Sequence, residues 1–134
     1  MALETAIIAP ALIALLALMI AAGRIAIAQG SIEAAARDAA RQASIARDSG
    51  TARAAALASA EEALSREGLK CSPLVTVDTS GFSEPVGTPA VVSATVRCEV
   101  EFSDIALPGM PGSKALSSSF TSPLDRFRAR GAQP

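Results

Sequence analysis

Residues 2–24, ALETAIIAPALIALLALMIAAGR, decide how the rest of this chain is arranged. The 19 residues from Thr5 to Gly23 carry no charge, and Glu4 and Arg24 flank them. A helix of that length spans about 29 Å at ~1.5 Å per residue, close to the hydrocarbon thickness of a bilayer. The segment predicts a membrane anchor, with a signal peptide as the alternative. No Lys or Arg precedes the apolar run, and the helical pattern continues past Arg24, so both observations favour the anchor.

The helical pattern extends from Arg24 to about Asp48. Apolar residues recur there at helical spacing: Ile25, Ala28, Ile32, Ala35, Ala36, Ala39, Ala43 and Ala46. Within the apolar run, Pro10 removes one intrahelical hydrogen bond, which predicts a kink or a loosened turn. The small alanine side chains favour close packing between helices inside a membrane or an apolar bundle.

A break is predicted around Gly50, where Ser49 or Thr51 is suited to cap the next helix. That helix runs from Thr51 to about Glu67 and stops at Gly68. A continuous helix bent at Gly50 is the alternative.

After Gly68 the apolar residues alternate with polar ones, which is typical of strands with one buried face. The clearest strand is predicted over 92–103, with others over 74–79 and 115–121. Turn-rich connections separate them at 80–89 and 107–112. Three antiparallel strands packed on the helices make an α+β fold.

Both cysteines, Cys71 and Cys98, lie on the apolar phase of their strands. A bridge between them would close a loop of roughly 28 residues and contribute about 3–4 kcal/mol. Two unbridged buried thiols are the alternative. An anchor ahead of the cysteines favours an oxidised pair outside the cytoplasm. Four arginines after the apolar run argue for the opposite orientation by the positive-inside rule, and a removed basic leader would resolve that conflict.

Composition excludes several functions. The chain has 134 residues, a net charge of −1 and four aromatic residues, all Phe. The lack of histidine rules out Ser-His-Asp and Cys-His catalysis, so we do not expect an enzyme or a cofactor. With only two cysteines we expect no metal site, and without a clustered basic surface we expect no nucleic acid partner. The tail charges Asp125, Arg126, Arg128 and Arg130 predict a local salt-bridge cluster or a solvated surface.

Three stretches resemble the TadE-like pilins and pseudopilins of the type IV (tight-adherence) pilus superfamily. They are ETAIIAP at 4–10, Gly23-Arg24 at the end of the apolar run, and FTSPLDRFR at 120–128. In that family the glutamate usually lies one residue further from the mature N-terminus and is often followed by an aromatic residue, whereas Thr5 follows here.

The resemblance implies a structural subunit that a prepilin peptidase processes at a basic leader. The subunit first lies in the bilayer of the bacterial inner membrane. With the pilus assembly machinery it then joins a helical homopolymer, an extracellular filament (fimbrium) that serves cell adhesion. Glu4 would pair with the N-terminal amine of a neighbouring subunit, here that of Met1. We expect Pro10, Ala14 and Ala28 to lie in the assembly surface, with packing that is sensitive to side-chain size.

These observations divide the chain into three parts. Residues 1–24 form a transmembrane or filament-core helix, 25–68 an amphipathic helical region, and 69–134 a small β-rich head with a C-terminal tail. A membrane-anchored cell-envelope module that binds a partner through its head, without forming filaments, is the alternative function.

Overall fold

The first helix of the computed structural model, α1, runs from Ala2 to Ile45 without interruption. The structure describes residues 1–128. The helix stays continuous through Pro10, since a proline removes a single N–H donor from the ladder. Its 44 residues extend about 66 Å at ~1.5 Å per residue.

The second helix, α2, spans Ser49–Arg66. The break between the helices is real, but it lies at 46–48 rather than at Gly50, which belongs to the first turn of α2. Ala46 takes an extended conformation, and the Asp48 carboxylate accepts hydrogen bonds from the amide and the hydroxyl of Thr51, each at 2.8 Å. Asp48 is therefore the N-cap, in place of the predicted Ser49 or Thr51.

Gly68 ends α2 as predicted. Its φ of 72° is a left-handed conformation that glycine adopts without steric cost. The amide of Gly68 donates to the carbonyl of Ser65, and the amide of Leu69 donates to that of Leu64. This pair of bonds is a Schellman motif, which turns the chain out of the helix towards the sheet.

Three antiparallel strands follow in the order β1-β2-β3: β1 (Leu74–Asp78), β2 (Val91–Glu101) and β3 (Ser113–Pro123). A 3₁₀ turn, Ser80–Ser83, lies in the β1–β2 connection. The predicted alternation sets the register, because it places Cys98 opposite Leu116 and Val75 opposite Val96 on the side that faces the helices.

The predicted central strand is too long at its carboxyl end. Phe102 and Ser103 do not continue β2 but begin a one-turn helix, α3 (Phe102–Ile105). The amide of Phe102 donates to the carbonyl of Gly112 at 3.0 Å, which closes the β2–β3 connection at this residue. The alternating pattern thus extends to residue 103, two residues beyond the observed end of β2 at Glu101.

Alanine dominates the core. On α1 the buried alanines face α2 and the sheet, and on α2 four more are buried at spacings of four, four and three residues. One cluster contains these alanines of the two helices: Ala52, Ala56, Ala60 and Ala63 of α2, and Ala28, Ala35, Ala36, Ala39, Ala40 and Ala43 of α1. Small side chains let helix axes approach closely. Ile32 and Leu64 are the largest fully buried side chains, and the inner face of β2 completes the core. The core therefore begins near Ala28, well beyond the apolar segment at the start of α1.

Candidate membrane and assembly surface

Most of the amino-terminal half of α1 is exposed in the part of the chain that the structure describes. Residues 3–20, here called the apolar segment, expose large side chains along their entire length: Leu3, Ile7, Ile8, Leu12, Ile13, Leu15, Leu16, Leu18, Met19 and Ile20. In the described chain, α1 is the one helix long and apolar enough to cross a membrane, and 6% of its most apolar window is buried. A core helix of a soluble protein would be mostly buried, so this exposure is compatible with membrane anchoring.

Glu4 lies in the first turn of α1, where a carboxylate is favoured by the positive end of the helix dipole. Met1 precedes the helix and is fully exposed, and its carbonyl accepts from the amide of Thr5 at 3.3 Å. Within residues 1–128 the Glu4 carboxylate forms no ion pair, with its own N-terminal amine or with any other group. Both charges are thus available to another molecule.

The structure separates the three residues that we predict in the assembly surface beside Met1 and Glu4. Pro10 and Ala14 lie in the exposed apolar segment. Ala28 is only 5% exposed and belongs to the core cluster that joins α1 to the head. The folded subunit thus places Ala28 against its own head, and an assembly contact at this residue stays a prediction. The small size of Ala28 is required for contact with the chain's own head.

Two polar side chains attach α1 to the sheet side of the head just beyond the apolar segment. The guanidinium of Arg24 donates to the carbonyl of Ala106 at 3.2 Å. The amide of Gln29 donates to the carbonyl of Ser117 at 3.1 Å, on β3. Sequence reasoning identified Arg24 only as the end of the apolar run, because its partner is 82 residues away.

The tail returns to the helices. Arg128 donates to the carbonyl of Ile45 at 3.1 Å, so it satisfies one of the free carbonyls at the end of α1. The Arg37 guanidinium lies over the Phe120 ring, 5.4 Å from its centroid, which is a cation–π distance. In the tail cluster predicted from the sequence, Asp125 accepts from the amide of Phe127, and Arg130 lies outside the described residues.

Cys71 and Cys98 form a disulfide, with their Cα atoms 5.9 Å apart. Cys98 is buried on β2, and Cys71 lies in the segment between α2 and β1. The bond therefore ties the exit of the helical part to the centre of the sheet. Among residues 1–128 no group of three or more His, Cys, Asp or Glu side chains is arranged to hold a metal ion.

Comparison with known proteins gives one family match. Residues 1–41 match the family described as TadE-like protein. No curated protein and no solved structure matches the chain significantly. The match covers the exposed apolar segment and the first buried turns of α1, and it includes two of the three stretches that carry the resemblance but not residues 120–128. Residues 1–41 are thus similar to the TadE-like family, and this similarity is compatible with a pilus-assembly context for the chain.

Proposed function

We propose that the chain is a structural subunit of a Tad-like pilus, held in the membrane by the apolar segment before assembly and packed through that segment afterwards. The observation that carries the proposal is the division of α1. Its carboxyl half packs against the chain's own head, whereas residues 3–20 expose large apolar side chains along their length, with Glu4 as their one charge. A surface of this kind requires lipid or other helices around it, because apolar area left in water costs roughly 25 cal/mol per Å².

Glu4 makes the proposed packing selective. A carboxylate in an apolar filament core is costly unless a cation pairs with it. The N-terminal amine of a neighbouring subunit supplies that cation, so only an axial offset that brings Met1 of one copy to Glu4 of the next is favourable. The absence of an ion pair on Glu4 within residues 1–128 supports this role.

The experiment compares Glu4→Ala and Glu4→Gln with the unchanged chain in cells that assemble the filament. Sheared surface material is measured by immunoblot and imaged by negative stain, and the membrane fraction is measured in parallel. Both variants should lower sheared filament at least about tenfold, because an unpaired charge in an apolar surrounding costs several kcal/mol. The amount in the membrane fraction should not change, since the apolar segment is intact.

Glu61→Gln is the matched control, because Glu61 is an exposed carboxylate on α2. It should leave filaments at the level of the unchanged chain. Normal filaments from the Glu4 variants would overturn the role of that residue. If the unchanged chain stays in the membrane and never enters sheared material, it is the anchored envelope module and not a filament subunit.

A further inference from the structure

A surface cavity of about 230 Å³ lies where α1 leaves the head. The carboxyl end of α2 and the short helix α3 contribute its other walls. Arg24 and Ser31 line it from α1, Glu67 from the end of α2, and Asp104 with Ile105 from α3. The volume is below the ~300 Å³ of the smallest drug-sized sites, so the cavity suits a compact polar group.

The charges around this cavity do not neutralise one another. Within residues 1–128 neither Glu67 nor Asp104 forms an ion pair or a side-chain hydrogen bond. Arg24 uses one N–H group on the carbonyl of Ala106, and a guanidinium has five in all. One cationic and two anionic side chains therefore line a single cavity. Arg24 has further N–H donors for a ligand, and the two carboxylates can accept hydrogen bonds from it.

The side chains around the cavity match a ligand that carries one positive and one negative group. The two carboxylates disfavour a simple anion, and the guanidinium disfavours a bare metal cation. A phosphate pairs well with arginine, and a primary ammonium donates up to three hydrogen bonds to carboxylates. A quaternary ammonium has no N–H group to donate, so it is the weaker ligand.

The position of the cavity along α1 selects the source of that ligand. Arg24 follows Ile20, the last large side chain of the apolar segment, by four residues, or about 6 Å at ~1.5 Å per residue. The polar headgroup layer adds roughly 5–8 Å on each side of the hydrocarbon core. If the apolar segment spans the bilayer, the mouth of the cavity lies at the depth of the lipid headgroups.

We propose that the cavity between Arg24, Glu67 and Asp104 binds the phosphoethanolamine headgroup of a membrane lipid. Arg24 contacts the phosphate, and the two carboxylates accept from the ammonium. The site rests on the proposed membrane-anchored function, and it selects phosphatidylethanolamine as the lipid beside the subunit.

The test uses the full chain in nanodiscs of phosphatidylcholine alone, mixed with phosphatidylethanolamine, or mixed with phosphatidylglycerol. Native mass spectrometry measures which lipids stay bound after mild release. Phosphatidylethanolamine should be retained about tenfold over phosphatidylcholine, as expected for charge-assisted hydrogen bonds that only the primary ammonium makes. Phosphatidylglycerol should not be enriched, because it lacks the cation.

The double variant Glu67→Gln/Asp104→Asn should reduce this preference to the bulk lipid ratio. Its matched control, Glu61→Gln/Glu62→Gln, removes the same charge from exposed positions of α2 outside the cavity and should keep the preference. The far-ultraviolet circular dichroism of both variants should equal that of the unchanged chain, since none of the replaced carboxylates forms an ion pair within residues 1–128.

Soluble phosphoethanolamine, added to the chain in phosphatidylcholine nanodiscs, distinguishes the lipid from a free ligand. Saturable binding of the soluble compound together with no retained phosphatidylethanolamine would overturn the lipid source. Carbodiimide labels accessible carboxylates, here Glu67 and Asp104. If this labelling stops only when filaments assemble, and the nanodiscs show no lipid preference, then another subunit occupies the cavity and the proposal is overturned. A chain that enters nanodiscs but shows no preference overturns this site alone, whereas a chain that does not enter them overturns the proposed anchoring too.

Discussion

Asp48 holds the amide and the hydroxyl of Thr51 with its two carboxylate oxygens. These bonds lower the pKa of Asp48, with the backbone bond from Thr51 as the largest cause and the side-chain bond next. A carboxyl group whose pKa is lower in the folded state stabilises the fold above its unfolded pKa. That contribution is lost as the pH falls through the folded pKa. The start of α2 is therefore sensitive to acid.

We expect Asp48→Ala to lower the thermal midpoint of the chain in detergent micelles at neutral pH. The difference from the unchanged chain should shrink as the pH falls below about 4, because the unchanged chain then loses the same charge. Thermal unfolding followed by far-ultraviolet circular dichroism, which reports helix content, measures this difference. Asp48→Asn keeps an acceptor for the Thr51 amide, so its difference from the unchanged chain should be smaller. That difference should change with pH by the same amount, because only the unchanged chain titrates at this position. A gap for Asp48→Ala that is constant across this range would contradict the assignment of the cap.

At the level of the elements, α1 is one helix in two environments. Ala14 is exposed, and Ala28 is buried against the head, although both are alanines in an apolar helix. Replacing each alanine by a larger side chain should therefore have a different effect. A phenyl group at Ala28 has to displace neighbours in a packed core, whereas at Ala14 it extends into the surroundings of the subunit.

Ala28→Phe should destabilise the isolated subunit by about 1–3 kcal/mol through overpacking. Ala14→Phe should leave that stability unchanged while reducing filaments in sheared material, because it disturbs packing between subunits. Urea unfolding in micelles measures the first effect, and immunoblots of sheared filaments measure the second. Equal loss of stability in the two variants would show that the apolar segment also packs on the subunit's own head.

The elements followed from residue periodicity, but their partners did not. Alternation along β2 predicted its buried face, whereas the register that brings Cys98 opposite Leu116 came only from the structure. Helical spacing predicted α1, yet nothing local distinguishes an alanine that meets the head from one that meets lipid or another copy. The cap at Asp48 was missed because Gly50 is the stronger local signal for a break, while a side-chain bond to Thr51 decided the boundary. The cavity was invisible because its walls come from three separate elements.

At the scale of the whole molecule, the disulfide joins the helical part to the sheet across 27 residues of chain. A core made largely of alanine buries little area per residue, so the fold depends on links of this kind. Arg24, Gln29 and Arg128 add polar attachments between α1 and the head.

Replacing both cysteines, Cys71→Ser/Cys98→Ser, should lower the free energy of unfolding by about 3–4 kcal/mol, because the unfolded chain regains the freedom of the closed loop. Denaturant titration of the full chain in micelles measures the loss. The unchanged chain treated with a reductant should show a similar loss. Cys71→Ser alone should show it too, and the double variant should lose more, because it places a hydroxyl at the buried position 98. An unaltered denaturation midpoint after reduction would contradict a stabilising role for the bond.

The continuity of α1 through residue 45 has a mechanical consequence. The interruption at 46–48 comes after the part of α1 that packs against the head, so no break separates the apolar segment from that part of the helix. A pull or a twist applied to the head is transmitted directly along the backbone hydrogen bonds of one rod. In the proposed membrane or filament setting, tilting the head would therefore tilt the apolar segment by the same angle, and pulling the head outward would pull the segment along its own axis.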